Sequence, residues 1–152
     1  MSDAYDLQRF VTAQDGADPH HPTITWHGVT AELRSGKKTG HWMWFVFPQV
    51  DLGHTPTAHH FAIMSRDEAV AYVSDPTLGA RLREATRLVP AGGRTDASRI
   101  FGQLDARKFH SSMTLFDAVA PGDVFATALT ECFAGVRDHR TLEYLAAFPD
   151  PD

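Results

Sequence analysis

Apolar residues recur along most of this chain at spacings of three and four, the period of an α-helix with one buried face. In "YDLQRFVTAQ" the set is Leu7, Phe10 and Val11, and Asp15-Gly16 closes the run. "VTAELRSGKK" puts Val29 and Leu33 on one face, with Gly36 as the C-cap. "SRDEAVAYV" reads as a capping box, Ser65 at the N-cap and Glu68 at the third helical position. "DPTLGARLREATRLV" begins with Asp75 as N-cap and Pro76 at the first helical position. "DARKFHSSMTLFDAVAP" starts at Asp105, buries Phe109, Met113 and Phe116, and stops before Pro121. "DVFATALTECFAG" repeats the pattern with Phe125, Leu129 and Phe133, and "DHRTLEYLAAF" supplies a last helix.

Strict alternation of apolar and polar residues, the mark of a half-buried strand, is scarce. The pattern therefore predicts an all-α, single compact multi-helical domain. Two stretches fall outside it. "DGADPHHPTITWHG", residues 15–28, is rich in Gly, Pro, Asp and His and reads as a loop between the first two helices. The last residues, 148–152, read as a frayed tail.

The other exception is "GHWMWFVFPQV", Gly40 to Val50, apolar except for His41 and Gln49 near its ends. Its aromatic and β-branched content, with Pro48 near its close, predicts an extended or irregular segment near the core. In a strand Trp42 and Trp44 share a face; in a helix they lie about 200° apart. The rings are either plain core or the walls of a site that sandwiches a planar ligand, with His41 and Gln49 orienting it.

Four blocks, "DLQRFVTAQ", "ELRSGKKTGHWMWFVFPQ", "EAVAYVSDPTLGARL" and "IFGQLDARKFHSSMTLF", together resemble the family catalogued as domain of unknown function 1810. The resemblance runs from about Asp6 to Leu145. It implies a small, mostly helical bacterial domain and carries no assigned reaction. The chain departs from the family pattern in a longer insert after Gln14 and in "VDLGHT", which stands where a Gly-Leu-Gly form is more usual.

Composition narrows the function. At 152 residues the chain suits one domain with one core. The net charge of -5 makes it a poor general binder of nucleic acid, whose affinity comes from Lys and Arg on phosphates. No apolar run approaches the length of a membrane span, and the acidic N-terminus lacks the plan of a signal peptide. A lone cysteine, Cys132, forms no internal disulfide, and with the rest this points to the cytoplasm. Nine histidines raise the question of metal. His20-His21 and His59-His60 are adjacent pairs that point to different faces, and no ligand spacing accompanies them, so neither metal nor cofactor is expected.

The candidate chemistry lies in two segments. "RSGKKTGH" sets Arg34, Lys37 and Lys38 beside the aromatic block, a local positive patch able to hold a phosphate or carboxylate, or simply basic side chains at a helix C-terminus. "KFHSSMT" puts Lys108, Ser111 and Ser112 on one helical face, suited to an anion or sugar phosphate, to a helix–helix contact through small residues, or, less readily, to a serine nucleophile with a lysine base. Asp138 and His139 could pair as acid and base, though Asp138 is better explained as an N-cap.

The leading expectation is an enzyme, or a ligand-binding domain of enzymatic descent, acting on a small anionic nucleotide-like or sugar-phosphate-like molecule. Trp42 and Trp44 stack its ring; Arg34, Lys38 and Lys108 hold its charge; Ser111 and Ser112 meet hydroxyls or phosphate oxygens; Gln49 orients it; His41 moves the proton. Glycosidic bond cleavage would suit such a pocket. The competing expectation is a non-catalytic helical interaction module, in which these groups lie on separate surfaces and an apolar patch is exposed.

Overall fold

Most helices in this chain begin where a side-chain oxygen can meet a free backbone N–H. In a computed structural model, which describes residues 3–91 and 96–148 (of Pro90 and Ala91 the backbone alone), ten helices are present. They are α1 Gln8–Gln14, α2 Trp26–Ser35, α3 Met43–Val46, α4 Pro56–His60, α5 Arg66–Ser74, α6 Pro76–Ala91, α7 Ala97–Phe101, α8 Gln103–Val119, α9 Val124–Phe133 and α10 His139–Ala147. Thr25, Thr55, Ser65, Asp96, Asp123 and Asp138 each cap one of them through the side chain. Asp75 accepts from the N–H groups of Thr77 and Leu78 at the start of α6. Gly36 closes α2 in the left-handed conformation, φ 79°.

The fold is all-α. The only ladder contact among the described residues is an isolated parallel bridge between Val50 and Ile63. Among the described residues, no helix is long and apolar enough to cross a membrane.

Four local expectations change. α2 starts at Trp26, so the 15–28 loop gives way to helix after Thr25, whose hydroxyl caps Gly28 N–H. α8 starts at Gln103 after Gly102, φ 81°, which leaves Asp105 inside the first turn and free to bind other groups. Glu68 does not reach back to Ser65; its carboxylate accepts from Met64 N–H and Arg9 instead. The aromatic segment is not extended throughout: Met43–Val46 make one helical turn, followed by irregular chain to Val50. Beyond Phe148, the expected tail lies outside the described residues.

Two long helices organise the rest. α8 packs against α3, α5, α7, α9 and α10, and α6 against α1, α2, α5 and α9. α8 buries Ala106, Phe109, Met113 and Phe116 along one stripe, at the spacing a helix needs to present a single face. Phe109 meets Phe47 edge to face at 4.9 Å, which ties the aromatic segment to α8. The buried apolar residues form one continuous cluster from Phe10 to Leu145.

Candidate functional site

The face of α8 opposite the core carries Leu104, Arg107, Lys108 and Ser111, at relative positions i, i+3, i+4 and i+7, which share one side of a helix. This face forms one wall of a cleft of about 550 Å³. Gln49, Leu52, Gly53 and His54 form a second wall, and Asp138 and Arg140 at the start of α10 a third. The second wall is held in place at its base. Ile63 N–H donates to Gln49 O at 2.9 Å beside the Val50–Ile63 bridge. Gly53 folds so tightly on α4 that an added Cβ would stand 2.3 Å from Ala58 Cβ. Only glycine fits there without displacing α4.

The third wall is fastened to α8 by a run of short polar contacts. Asp138 accepts from Thr141 N–H at 3.0 Å and from the Thr141 hydroxyl at 2.5 Å. Thr141 Oγ1 also lies 2.6 Å from Ser111 Oγ. A hydroxyl has one proton, and that of Thr141 goes to the carboxylate, so Ser111 is the donor in the last contact. Ser111 therefore turns its proton inward and can offer the cleft only acceptor lone pairs. The backbone N–H of Asp138 donates to Thr114 Oγ1, at 3.0 Å, on the next turn of α8.

The charge in the cleft is lopsided. Arg107 and Arg140 line it, and neither has an ion-pair partner among the described residues. Lys108 lines it too, with Nζ 3.1 Å from Asp105 Oδ1 and 4.8 Å from the centre of the Trp44 ring. His54 is exposed at one edge. His110 donates from Nε2 to Val136 O at 2.7 Å and stacks on Phe133 at 4.0 Å, which fixes its ring. The one acid in the lining, Asp138, is occupied by Thr141.

Of the residues expected to share a site, the cleft gathers Lys108, Ser111 and Gln49. It leaves six others outside. Trp42 is fully buried, and its indole N–H donates to Glu32 Oε1 at 3.1 Å, so it has no face open to a ligand. Trp44 is half-buried with Lys108 over its ring. Trp44 lies within the one-turn helix α3 and Trp42 immediately precedes it, and the two indoles do not form a sandwich. Lys38, its side chain only 8% exposed, binds Asp105 Oδ2 at 2.7 Å and covers the Trp42 ring at 5.1 Å. Ser112 is completely buried, its hydroxyl without a partner among the described residues. It lies one position past the stripe that ends at Ser111, and that step turns it toward the core. Arg34 is exposed on the last turn of α2 and His41 is exposed beside Trp42; neither lines the cleft.

Asp105 is the hinge between the two segments. Burial pushes its carboxyl up, and hydrogen bonds and charge from Lys38 and Lys108 more than offset this, holding it below the ordinary carboxylate range. Glu32 behaves alike: burial raises it, while the Gly40 and Thr39 N–H groups and the Trp42 indole lower it by more.

Residues 4–145 match the family model described as Protein of unknown function (DUF1810). The chain belongs to this family. The crystal structure of the conserved hypothetical protein Rv1873 from Mycobacterium tuberculosis is similar to this DUF1810 chain, with a TM-score of 0.84 and 42% identity. The match covers 95% of this chain and 99% of that one. No curated protein is significantly similar to it in sequence.

The basic and imidazole lining residues that sequence patterns leave out are Arg107, Arg140, His54 and His110. Arg107 precedes Lys108 and falls on the same stripe once α8 is known to begin at Gln103. His54 sits in "VDLGHT", the stretch set apart by its departure from the family pattern. Arg140 has no local signal, because only the docking of α10 on α8 brings it to the cleft. No group of three or more His, Cys, Asp or Glu among the described residues is placed to hold a metal ion.

Proposed function

We propose that this DUF1810 protein is a small-molecule enzyme or ligand-binding domain that takes an anionic ligand of the sugar-phosphate or nucleotide class in the cleft between α8, residues 49–54 and the start of α10. One observation carries the reading. Arg107 and Arg140 face the same cleft without carboxylate partners among the described residues, in a chain with 19 acidic residues against 14 basic ones. Charges in such a protein ordinarily find opposite neighbours, and guanidiniums left open in a concave site suit phosphate or carboxylate.

Ser111 and Gln49 refine the ligand class. Ser111 can only accept from the ligand, so the ligand should bring a donor near its anion. A sugar phosphate has both groups on one small frame. His54, rather than His41, is the imidazole at hand to move a proton if the cleft is catalytic, and glycosidic bond chemistry would call on it to protonate a leaving group. We take the cytoplasm of a bacterium as the setting. The single cysteine and the mycobacterial neighbour support it. The acidic balance also disfavours nucleic acid as a partner.

The test is titration calorimetry with ribose 5-phosphate and AMP, supported by thermal shift. Arg107→Ala removes an exposed charge with no ion-pair partner among the described residues, and a charge-assisted contact is worth about 1.5–3 kcal/mol. It should weaken binding roughly ten- to a hundredfold and leave the melting temperature of the free protein unchanged. Absence of binding by a broad panel of phosphates, or binding indifferent to both Arg107→Ala and Lys108→Ala, would overturn the reading in favour of a helical interaction module.

A further inference from the structure

A second, smaller hollow of about 320 Å³ opens beyond Arg140, lined by Leu52, Arg140, Glu143, Tyr144 and Ala147. It shares Leu52 and Arg140 with the cationic cleft. The partition between them is slight: Arg140 Nη2 donates to Leu52 O at 3.4 Å, a single long hydrogen bond. An arginine that, among the described residues, is held by that bond alone can turn toward an anion on one side or lie flat against a ring on the other.

The two linings differ in kind. The inner cleft offers Arg107, Lys108 and the acceptor oxygen of Ser111. The outer hollow offers Leu52, Ala147 and the half-buried ring of Tyr144, which Phe148 braces edge-on at 5.9 Å and 78°. Glu143 adds a carboxylate to the outer hollow, which disfavours an anion there. An elongated ligand therefore has one orientation, its charge inward and an apolar, flat part outward. The tryptophan pair does not compete for that part, because Trp42 is buried and Lys108 lies over Trp44.

We infer that the two hollows form one bipartite site for a nucleoside phosphate, with the phosphate at Arg107 and Lys108, ribose hydroxyls at Ser111, and the base against Tyr144 and Leu52 under Arg140. This rests on the anion reading of the inner cleft and adds to it a ring subsite and a direction.

Titration calorimetry of the full chain with ribose 5-phosphate and with AMP separates the two. A base stacked on an aromatic side chain strengthens binding by about tenfold or more, so AMP should bind tighter than ribose 5-phosphate by that factor. Tyr144→Ala should bring AMP down to the level of ribose 5-phosphate and leave ribose 5-phosphate itself unchanged. The unchanged sugar phosphate also reports that the variant is folded. If Tyr144→Ala does not fold, Tyr144→Leu keeps the bulk, removes the flat face and gives the same readout. If ribose 5-phosphate binds, and AMP binds no tighter or Tyr144 variants weaken both ligands equally, the ring subsite is overturned while the anion cleft stands. If neither ligand binds, both readings fall together.

Discussion

Ser111 Oγ stands 2.6 Å from Thr141 Oγ1, and Thr141 in turn gives its proton to Asp138. Thr141 is fully buried and Ser111 keeps 2% exposure where it lines the cleft, so the contact between the two hydroxyls is shielded where α10 meets α8. Ser111 thus serves two purposes at once: it fastens a helix and it leaves an acceptor toward the cleft.

Thr141→Val keeps the shape and removes the middle of that chain. Ser111, which is buried, then loses its acceptor and the half-buried Asp138 loses a donor, at a cost of about 1–3 kcal/mol. Ser111→Ala leaves Thr141 and Asp138 paired and should cost about 1 kcal/mol or less. Chemical denaturation of the two variants checks the ranking. Equal stabilities would mean that the hydroxyl chain does not hold α10.

The Asp105 carboxylate, shared by Lys38 and Lys108, makes stability depend on acid. Its ionisation lies below the ordinary value in the folded chain. A carboxyl lowered on folding stabilises fully above its unfolded value, about 4, and that stability is lost as pH falls through the folded value. Wild type should therefore lose stability progressively below about pH 4. Asp105→Asn should flatten part of this acid limb and cost about 1–3 kcal/mol at neutral pH, because Lys38 is left largely buried without its counter-charge. Glu32 and Asp123, also lowered, keep some acid sensitivity in the variant. Melting temperatures from pH 2.5 to 7 give both quantities.

Gly79 tests close packing against propensity. Within a helix, alanine is favoured over glycine by about 1 kcal/mol. At this site an added Cβ would stand 2.2 Å from Val73 O, a backbone atom near the end of α5. The overlap cannot be relieved by a rotamer, so Gly79→Ala should destabilise by about 1–3 kcal/mol despite its better propensity. A stabilised Gly79→Ala would show that α5 and α6 yield at this contact.

Cys132 should be slow to react. Burial and then the neighbouring Glu131 push its thiol up to about 11, so little thiolate exists near neutrality. Alkylation at pH 8 should be slow in the native protein and should speed up markedly in denaturant. Fast native labelling would contradict the burial of this helix face.

Period and capping chemistry were sufficient for the class of this fold. Phe109, Met113 and Phe116 recur at helical spacing, and Ser65, Asp75, Asp123 and Asp138 have oxygens that satisfy local N–H groups. Both are properties of a few neighbouring residues, so they are legible without knowing what lies across the core. The same locality explains what went astray. The ambiguity of "GHWMWFVFPQ" ended only when packing of Phe47 against Phe109 fixed one helical turn and sent Trp42 inward. Arg34, His41 and Lys38 are close to Trp42 in sequence, but the core directs them to solvent or to Asp105. Part of the cleft was legible: Lys108 and Ser111 because one helix presents them, and Gln49 because it is the polar residue near the end of the aromatic block. The rest, from His54 to Arg140, comes from segments far apart in the chain. Their meeting depends on the Val50–Ile63 bridge and on the Ser111–Thr141–Asp138 contact, and no local pattern encodes a long-range hydrogen bond.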